Sequence, residues 1–136
     1  MKTLLTTALI VVGTAVLAHD KTDLAAVPTP TESQGVSLDV LQQFDLEPQI
    51  AAMAGYDIRM RKITFAPGAT FAQHSHAIRP GLVYILEGEI LDVRGDDRRV
   101  YKAGQHWMED ATTDHWLANI SDKPVTFIMI DTPVKD

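Results

Sequence analysis

The sequence predicts an all-β protein, with one small antiparallel β-barrel or jelly roll. Two observations indicate this fold class. From residue 37 onward, short segments rich in β-branched and aromatic residues end in turn signals at intervals of about 8–12 residues. No stretch between them has room for the crossover helix that a parallel sheet requires. The 136 residues suffice for one such domain, which we place at 37–136.

The first eighteen residues have the features of a secretory signal peptide. Lys2 precedes an apolar run from Leu4 to Ala18, and the small residues Val16 and Ala18 suit a cleavage site. The run is shorter than the roughly 20 residues that a membrane-spanning helix needs. We therefore expect cleavage after Ala18, a periplasmic or secreted protein, and no stable membrane anchor once the segment is removed.

Residues 19–36 have the composition of a linker. They combine Pro28, Pro30 and Gly35 with Thr, Ser and Asp, and they follow neither helical nor strand periodicity. We interpret 19–36 as an extended linker ahead of the barrel. The following stretch, 36–44, suits either a strand or one turn of helix.

The barrel strands are separated by turns whose residues have specific backbone preferences. The main turn signals are Pro67-Gly68, Pro80-Gly81, Glu87-Gly88 and Ala103-Gly104. Gly68 and Gly88 lie where tight turns need a positive φ or the lack of a side chain. Strands are predicted at 56–65, 69–76, 82–86, 89–94, 98–101, 105–109, 115–120 and 125–130.

Composition excludes several classes of function. The chain has no cysteine, which rules out disulfides, zinc-thiolate sites, iron–sulfur clusters and a cysteine nucleophile. The net charge is −6, and the only basic cluster is formed by Arg59, Arg61 and Lys62. A nucleic-acid partner is not expected, because phosphate binding needs a larger basic surface. Any bound metal must be held by histidine or oxygen ligands.

Three histidines form the strongest candidate site. His74 and His76 are two residues apart, so on a strand both side chains project from the same face. His115 lies about forty residues further on, at the start of another predicted strand. A three-histidine site with an open position suits one catalytic divalent metal ion. Imidazole ligands do not select among Zn, Fe, Ni, Cu and Mn.

Two spaced motifs around these histidines resemble those of the cupin superfamily. The first reads G-x5-H-x-H, then eleven residues and a glycine; the second reads G-x10-H-x3-N. The matching positions are Gly68, His74, His76, Gly88, Gly104, His115 and Asn119. The resemblance implies a double-stranded β-helix barrel over about 37–136 with a metal near its mouth. It also implies oxygenase, isomerase or lyase chemistry.

The sequence departs from the cupin pattern at one ligand position. The first motif usually supplies a glutamate after its second histidine, but Pro80 and Gly81 stand there. Three alternatives follow: a neutral three-histidine site that favours an anionic ligand, a replacement ligand, or a site without metal. The best replacement is Glu109, followed by His106. Strand alternation places these two side chains on opposite faces, so only one can serve.

The residues around the motifs suggest further roles. Glu109 and His106 are the candidates for proton transfer, and the guanidinium group of Arg79 could bind a substrate carboxylate. The leading hypothesis is an exported metal-dependent enzyme acting on a small organic molecule. The alternative is a periplasmic protein that binds a metal or small ligand without catalysis. A homodimer is also considered, with 125–130 as its candidate edge strand.

Overall fold

The computed structural model describes residues 21–135, and it is built almost entirely of β-strands. The strands are β1 (Gln34–Asp45), β2 (Asp57–Ser75), β3 (Gly81–Glu87), β4 (Glu89–Arg94), β5 (Asp97–Lys102), β6 (His106–Glu109), β7 (Asp114–Ala118) and β8 (Val125–Asp131). A short helix, α1 (Lys21–Ala25), precedes them, and a 3-10 turn lies at Ala51–Met53. The predicted all-β class is confirmed.

The predicted signal peptide, residues 1–18, lies outside the described residues. Within residues 21–135, no helix has the length and apolar character that crossing a membrane requires. The only α-helix of this part of the chain is the five-residue α1.

The strands form one antiparallel sheet that curves into a nearly closed barrel. Their order is β5-β4-β7-β2-β8-β3-β6, and β1 pairs with β2 beside this path. β8 lies between β2 and β3 and is hydrogen-bonded to both. The prediction that 125–130 forms an edge was therefore wrong. Its apolar sequence reflects burial in the middle of the sheet.

β2 is one strand of 19 residues where the sequence predicted two. It pairs with β8 from Arg59 to Phe65 and with β7 from Thr70 onward, so it crosses from one side of the barrel to the other. Pro67-Gly68 bends the strand without ending it, and Gly68 has a φ of +72°. A glycine in the middle of a strand provides such a corner.

Asn119 holds the corner of β2 in place. Its Nδ2 donates hydrogen bonds to the carbonyl oxygens of Phe65, Ala66 and Lys123, and its Oδ1 accepts from Ser121. The backbone nitrogen of Asn119 also bonds to the carbonyl oxygen of Ala69. This residue of the second motif therefore shapes the barrel and stands apart from the histidines.

Apolar side chains fill one part of the barrel interior. We call this cluster the apolar floor; it consists of Ile63, Phe65, Ala69, Val83, Ile85, Ile90, Trp107, Leu117, Val125, Phe127 and Met129. The ring of Phe127 lies 5.7 Å from those of both Phe65 and Trp107, measured between centroids. Because these side chains come from six strands, the floor fixes where the polar end of the barrel lies.

The segment 19–36 differs from the expected extended linker in its described part. α1 places Leu24 against the outward side chains of Leu91 and Trp116, where it is buried. Arg98 Nη1 donates to the carbonyl oxygens of Leu24 and Val27 at 2.7 and 3.0 Å. The segment thus covers an apolar outer face of β4 and β7, and β1 already begins at Gln34.

Candidate metal centre

Antiparallel pairing of β2 with β7 brings the three predicted histidines together. His74 and His115 are direct partners in the register of these strands. His76 follows the end of β2, and its backbone nitrogen donates to the carbonyl oxygen of Thr113 at 2.9 Å. His115 and His76 are fully buried, and His74 is partly buried. The three imidazoles face one another at the mouth of the barrel.

The hydrogen bonds of the outer ring nitrogens define the tautomers. His74 Nδ1 lies 2.9 Å from the carbonyl oxygen of Ala72, and His76 Nδ1 lies 3.1 Å from that of Arg79. A carbonyl oxygen can only accept, so both Nδ1 atoms carry the proton. Asp92 Oδ1 accepts a hydrogen bond from His115 Nδ1 at 2.7 Å, so His115 also carries its proton on Nδ1.

The three inner ring nitrogens therefore offer lone pairs to a common point. His115 Nε2 lies 3.1 Å from His74 Nε2 and 3.2 Å from His76 Nε2. Two nitrogens bound to one tetrahedral ion at about 2.1 Å each would be about 3.4 Å apart. Burial lowers the pKa of His74 and of His76 to about 4, so both rings are neutral at pH 7. This donor set fits a divalent transition metal.

Glu109 is the carboxylate of this site. Its Oε1 lies 3.5 Å from His115 Nε2 and accepts a hydrogen bond from Trp107 Nε1 at 3.0 Å. Its Oε2 lies 3.2 Å from His76 Nδ1 but finds no hydrogen-bond partner within residues 21–135. Burial raises the pKa of Glu109. A buried, incompletely bonded carboxylate beside neutral imidazoles suits a nearby cation.

Glu109 lies directly across from the position where the cupin motif usually carries its glutamate. Gly81, where the motif would carry glutamate, is the direct partner of Glu109 in the register of β3 and β6. A Cβ atom at Gly81 would lie 2.8 Å from the carbonyl oxygen of Ile130 and 3.2 Å from Asp131 Cβ. The close approach of β8 therefore leaves no space for a side chain at 81, and the side chain of Glu109 extends towards the histidines from the paired strand.

His106 lies apart from the histidine group. It pairs with Tyr84 in the register of β3 and β6, and its side chain is exposed on the outer face of the barrel. Burial alternates along β6, with Trp107 and Glu109 inside and His106 and Met108 outside. The alternation predicted from the sequence holds, and it assigns the interior position to Glu109.

Arg79 lines the same cavity as His74, His76 and Glu109. Its Nε lies 3.5 Å from Asp131 Oδ2, and about a third of its side chain is exposed. The turn that carries Arg79 is tied to His76, because the Arg79 nitrogen donates to the His76 carbonyl oxygen at 2.9 Å. The structure thus brings Arg79 to the rim of the site.

The family follows from comparison with known proteins. A family model for the cupin domain matches residues 61–131. The chain belongs to the cupin family. No curated protein matches the sequence of this cupin.

Solved structures share the fold of this cupin at low sequence identity. The cupin domain of an XRE family transcriptional regulator from Enterobacter cloacae is 20% identical, with a TM-score of 0.56 over 72% of this chain and 96% of the other. KdgF from Halomonas sp. is 14% identical, with a TM-score of 0.58 over 76% and 84%. A predicted oxalate decarboxylase from Thermotoga maritima is 16% identical, with a TM-score of 0.51 over 71% and 94%.

Two buried carboxylates of the cupin mouth were missed by the sequence analysis. Asp92 orients His115 and also binds Arg94 Nε at 2.9 Å. Asp131 binds Arg59 and Arg61. A sequence signal existed for Asp92, since it interrupts the apolar run of β4 at a position that faces inward by alternation. Asp131 follows a run of apolar residues in β8 in the same way.

Proposed function

We propose that this cupin is an exported metal-dependent enzyme that acts on a small organic molecule. The metal would be a single divalent transition ion held by His74, His76 and His115. The observation that carries this proposal is the convergence of three imidazole nitrogens within 4.8 Å of one another, with His115 Nε2 at 3.1 and 3.2 Å from the Nε2 atoms of His74 and His76. Neutral nitrogens repel at such separations unless a cation lies between them.

The metal, when bound, would supply a Lewis acid that polarises a bound oxygen. The chain itself holds the ligands in position. Asp92 and the carbonyl oxygens of Ala72 and Arg79 retain the Nδ1 protons and thereby keep every Nε2 free to bind. The apolar floor lines the inner side of the same cavity as the histidines and makes that side of the site apolar.

We further propose that Glu109 replaces the glutamate of the first cupin motif, whose position is occupied here by Pro80 and Gly81. Its carboxylate would balance the charge of the ion or transfer a proton to or from the substrate. Burial raises the pKa of Glu109, which favours the protonated form that a proton donor needs. The opposite position of His106 leaves Glu109 as the inward-facing candidate of β6.

Metal analysis of the purified protein tests the central proposal. We expect close to one first-row metal ion per chain, and its loss from the double variant His74→Ala/His76→Ala. His106→Ala is the matched control, because it removes an imidazole from the outer face of the same barrel. Equal, low metal contents in wild type and double variant would refute the proposal.

Catalysis is tested by turnover of small organic substrates with each metal. Glu109→Gln should retain the metal and lose most of the activity if the carboxylate transfers protons. A wild-type protein that binds metal and ligand without turnover would be a binding protein, which is the alternative function.

Export is proposed from the first eighteen residues of the sequence alone. Cell fractionation and mass spectrometry test it, with a mature amino terminus at His19 as the expected result. Recovery of the uncleaved chain in the cytoplasm would refute it.

A further inference from the structure

Positive charge is in excess beside the histidine group. Arg59 and Arg61 extend from β2 to Asp131, and Arg79 approaches the same carboxylate from the turn before β3. Asp131 Oδ2 accepts hydrogen bonds from Arg59 Nη2 and Arg61 Nη2, each at 2.8 Å, and lies 3.5 Å from Arg79 Nε. One carboxylate thus faces three guanidinium groups that stay protonated at ordinary pH. It cannot neutralise all three.

Arg61 is the most deeply buried of these cations. Only 8% of its surface is exposed, and its Nη2 contacts Asp131 Oδ2 and Met129 Sδ. Its Nε finds no hydrogen-bond partner among residues 21–135. A buried donor without an acceptor is costly, above all on a charged group. The position of Arg61 inside the barrel therefore indicates an acceptor that residues 21–135 do not supply.

The cavity beside Arg61 connects it to the histidine group. Arg61 and Arg79 line it together with His74, His76 and Glu109. The volume open to the centre of a water molecule is about 50 Å³. Since one water needs about 10–15 Å³ on this measure, the cavity has room for a few waters or for a group of similar size. The carboxylate group of a small organic acid fits this space.

Glu109, the other acidic residue of the cavity, makes no hydrogen bond to Arg61. The Oε1 of Glu109 accepts its hydrogen bond from Trp107, and its Oε2 has no hydrogen-bond partner in the described part of the chain. Asp131, the partner that Arg61 does have, is held from the other side by two hydrogen bonds to Arg59. A further hydrogen-bond acceptor for Arg61 must therefore enter through the mouth of the barrel, where the side chain of Arg79 is partly exposed.

We propose that Arg61 and Arg79 form a carboxylate subsite next to the three histidines, so that the substrate of this cupin is a small carboxylic acid. The planar guanidinium group matches the two oxygens of a carboxylate, and such charge-assisted bonds are stronger than neutral ones. The assignment of the ligand as substrate rests on the proposed function; the subsite itself does not require the metal. Arg61 and Arg79 act here as specificity residues.

Calorimetric titration with lactate, and with lactamide as its uncharged counterpart, tests the subsite. Both are titrated into the full protein, metal-free and loaded with Zn²⁺. Arg61→Met should weaken lactate binding at least about tenfold and Arg79→Met by several fold, as expected for lost charge-assisted bonds. Arg61→Lys, which keeps the charge but loses the fork, should lie between Arg61→Met and wild type.

Arg99→Met is the matched control, since it removes an exposed arginine from β5 that pairs with Asp97. It should leave lactate binding unchanged. The Zn²⁺ content should equal that of wild type in every arginine variant. Circular dichroism confirms that each variant is folded, and Arg79→Met, at a partly exposed turn, keeps the test valid if Arg61→Met does not fold. Lactamide should bind wild type at least about tenfold more weakly than lactate and be insensitive to Arg61→Met.

Three results would overturn the subsite: no lactate binding by wild type in either form, equal binding of lactamide, or lactate binding that both arginine variants retain. The last result with a normal Zn²⁺ content would leave the metal proposal intact. Conversely, arginine-dependent lactate binding by a protein that takes up no metal would uphold the subsite and refute the metal proposal.

Discussion

The interior of this barrel has two regions that share the same strands and differ in how their side chains are stabilised. Along the inward face of β2, Ile63 and Phe65 belong to the apolar floor, whereas Arg61 and His74 belong to the mouth. Floor side chains contact apolar neighbours without directional requirements. Polar groups of the mouth depend on particular partners, such as Asp131 for Arg61 and Asp92 for His115.

Because of this difference, the floor mainly determines the stability of the protein, whereas the mouth determines protonation and ligand binding. Removing a floor side chain costs transfer and cavity free energy but leaves the polar bonds of the mouth in place. Removing a polar group of the mouth leaves its partner buried and unpaired, which changes protonation and ligand binding. Substitutions in the two regions should therefore affect different measurements.

The largest effect on stability is expected in the floor. Phe65→Ala should lower the free energy of unfolding by about 3–5 kcal/mol, because Phe65 is fully buried against Phe71 and Phe127. Urea denaturation measures this change. Phe44→Ala is the matched control on an exposed position of β1, with an expected change within about 0.5 kcal/mol. Similar losses for both variants would contradict a floor that dominates stability.

A smaller effect, confined to metal binding at the mouth, is expected when Asp92, which accepts the hydrogen bond of His115, is substituted. Asp92→Asn should weaken metal binding about 10–100-fold, since the charged acceptor that fixes the His115 tautomer is lost. A competition assay with a chromogenic chelator measures the affinity. Asp97→Asn on the exposed side of β5 should leave it unchanged. An unaltered metal affinity in Asp92→Asn would show either that His115 does not bind the metal or that Asp92 does not orient His115.

The smallest effect concerns the metal-free protein and its pH dependence. The pKa of His74 and His76 is lowered from 6.5 to about 4 by burial, so the unfolded chain binds more protons between these values. Stability should therefore fall as the pH drops from about 6.5 to 4.5, by about 1–2 kcal/mol after allowance for solvent screening. Thermal unfolding at each pH measures it.

Glu109 contributes to the same pH window with the opposite sign. Burial raises its pKa, so the folded state retains a proton that the unfolded chain releases, and stability falls as the pH rises. Glu109→Gln removes this contribution and should steepen the loss of stability towards low pH. Adding His76→Gln to that variant should flatten the profile again. A profile that His76→Gln leaves unchanged would assign the pH dependence to other groups.

Much of the site was accessible from spacing alone. The G-x5-H-x-H and G-x10-H-x3-N patterns placed His74, His76 and His115 correctly, because a two-residue step on a strand keeps side chains on one face. The same alternation correctly separated Glu109 from His106. Local rules could not choose between a replacement carboxylate and a neutral site, since that depends on which strand pairs with β3.

The sequence by itself determined the all-β class and the three histidines that come together, since these follow from local periodicity. Only the tertiary structure decided which residues meet across strands. The pairing of Gly81 with Glu109, the convergence of arginines on Asp131 and the contact of Asp92 with His115 join residues from 23 to 72 positions apart. Such contacts are fixed by the sheet register, because a shift of one residue would move every side chain of a strand to the opposite face. The register in turn is set by packing of the whole barrel.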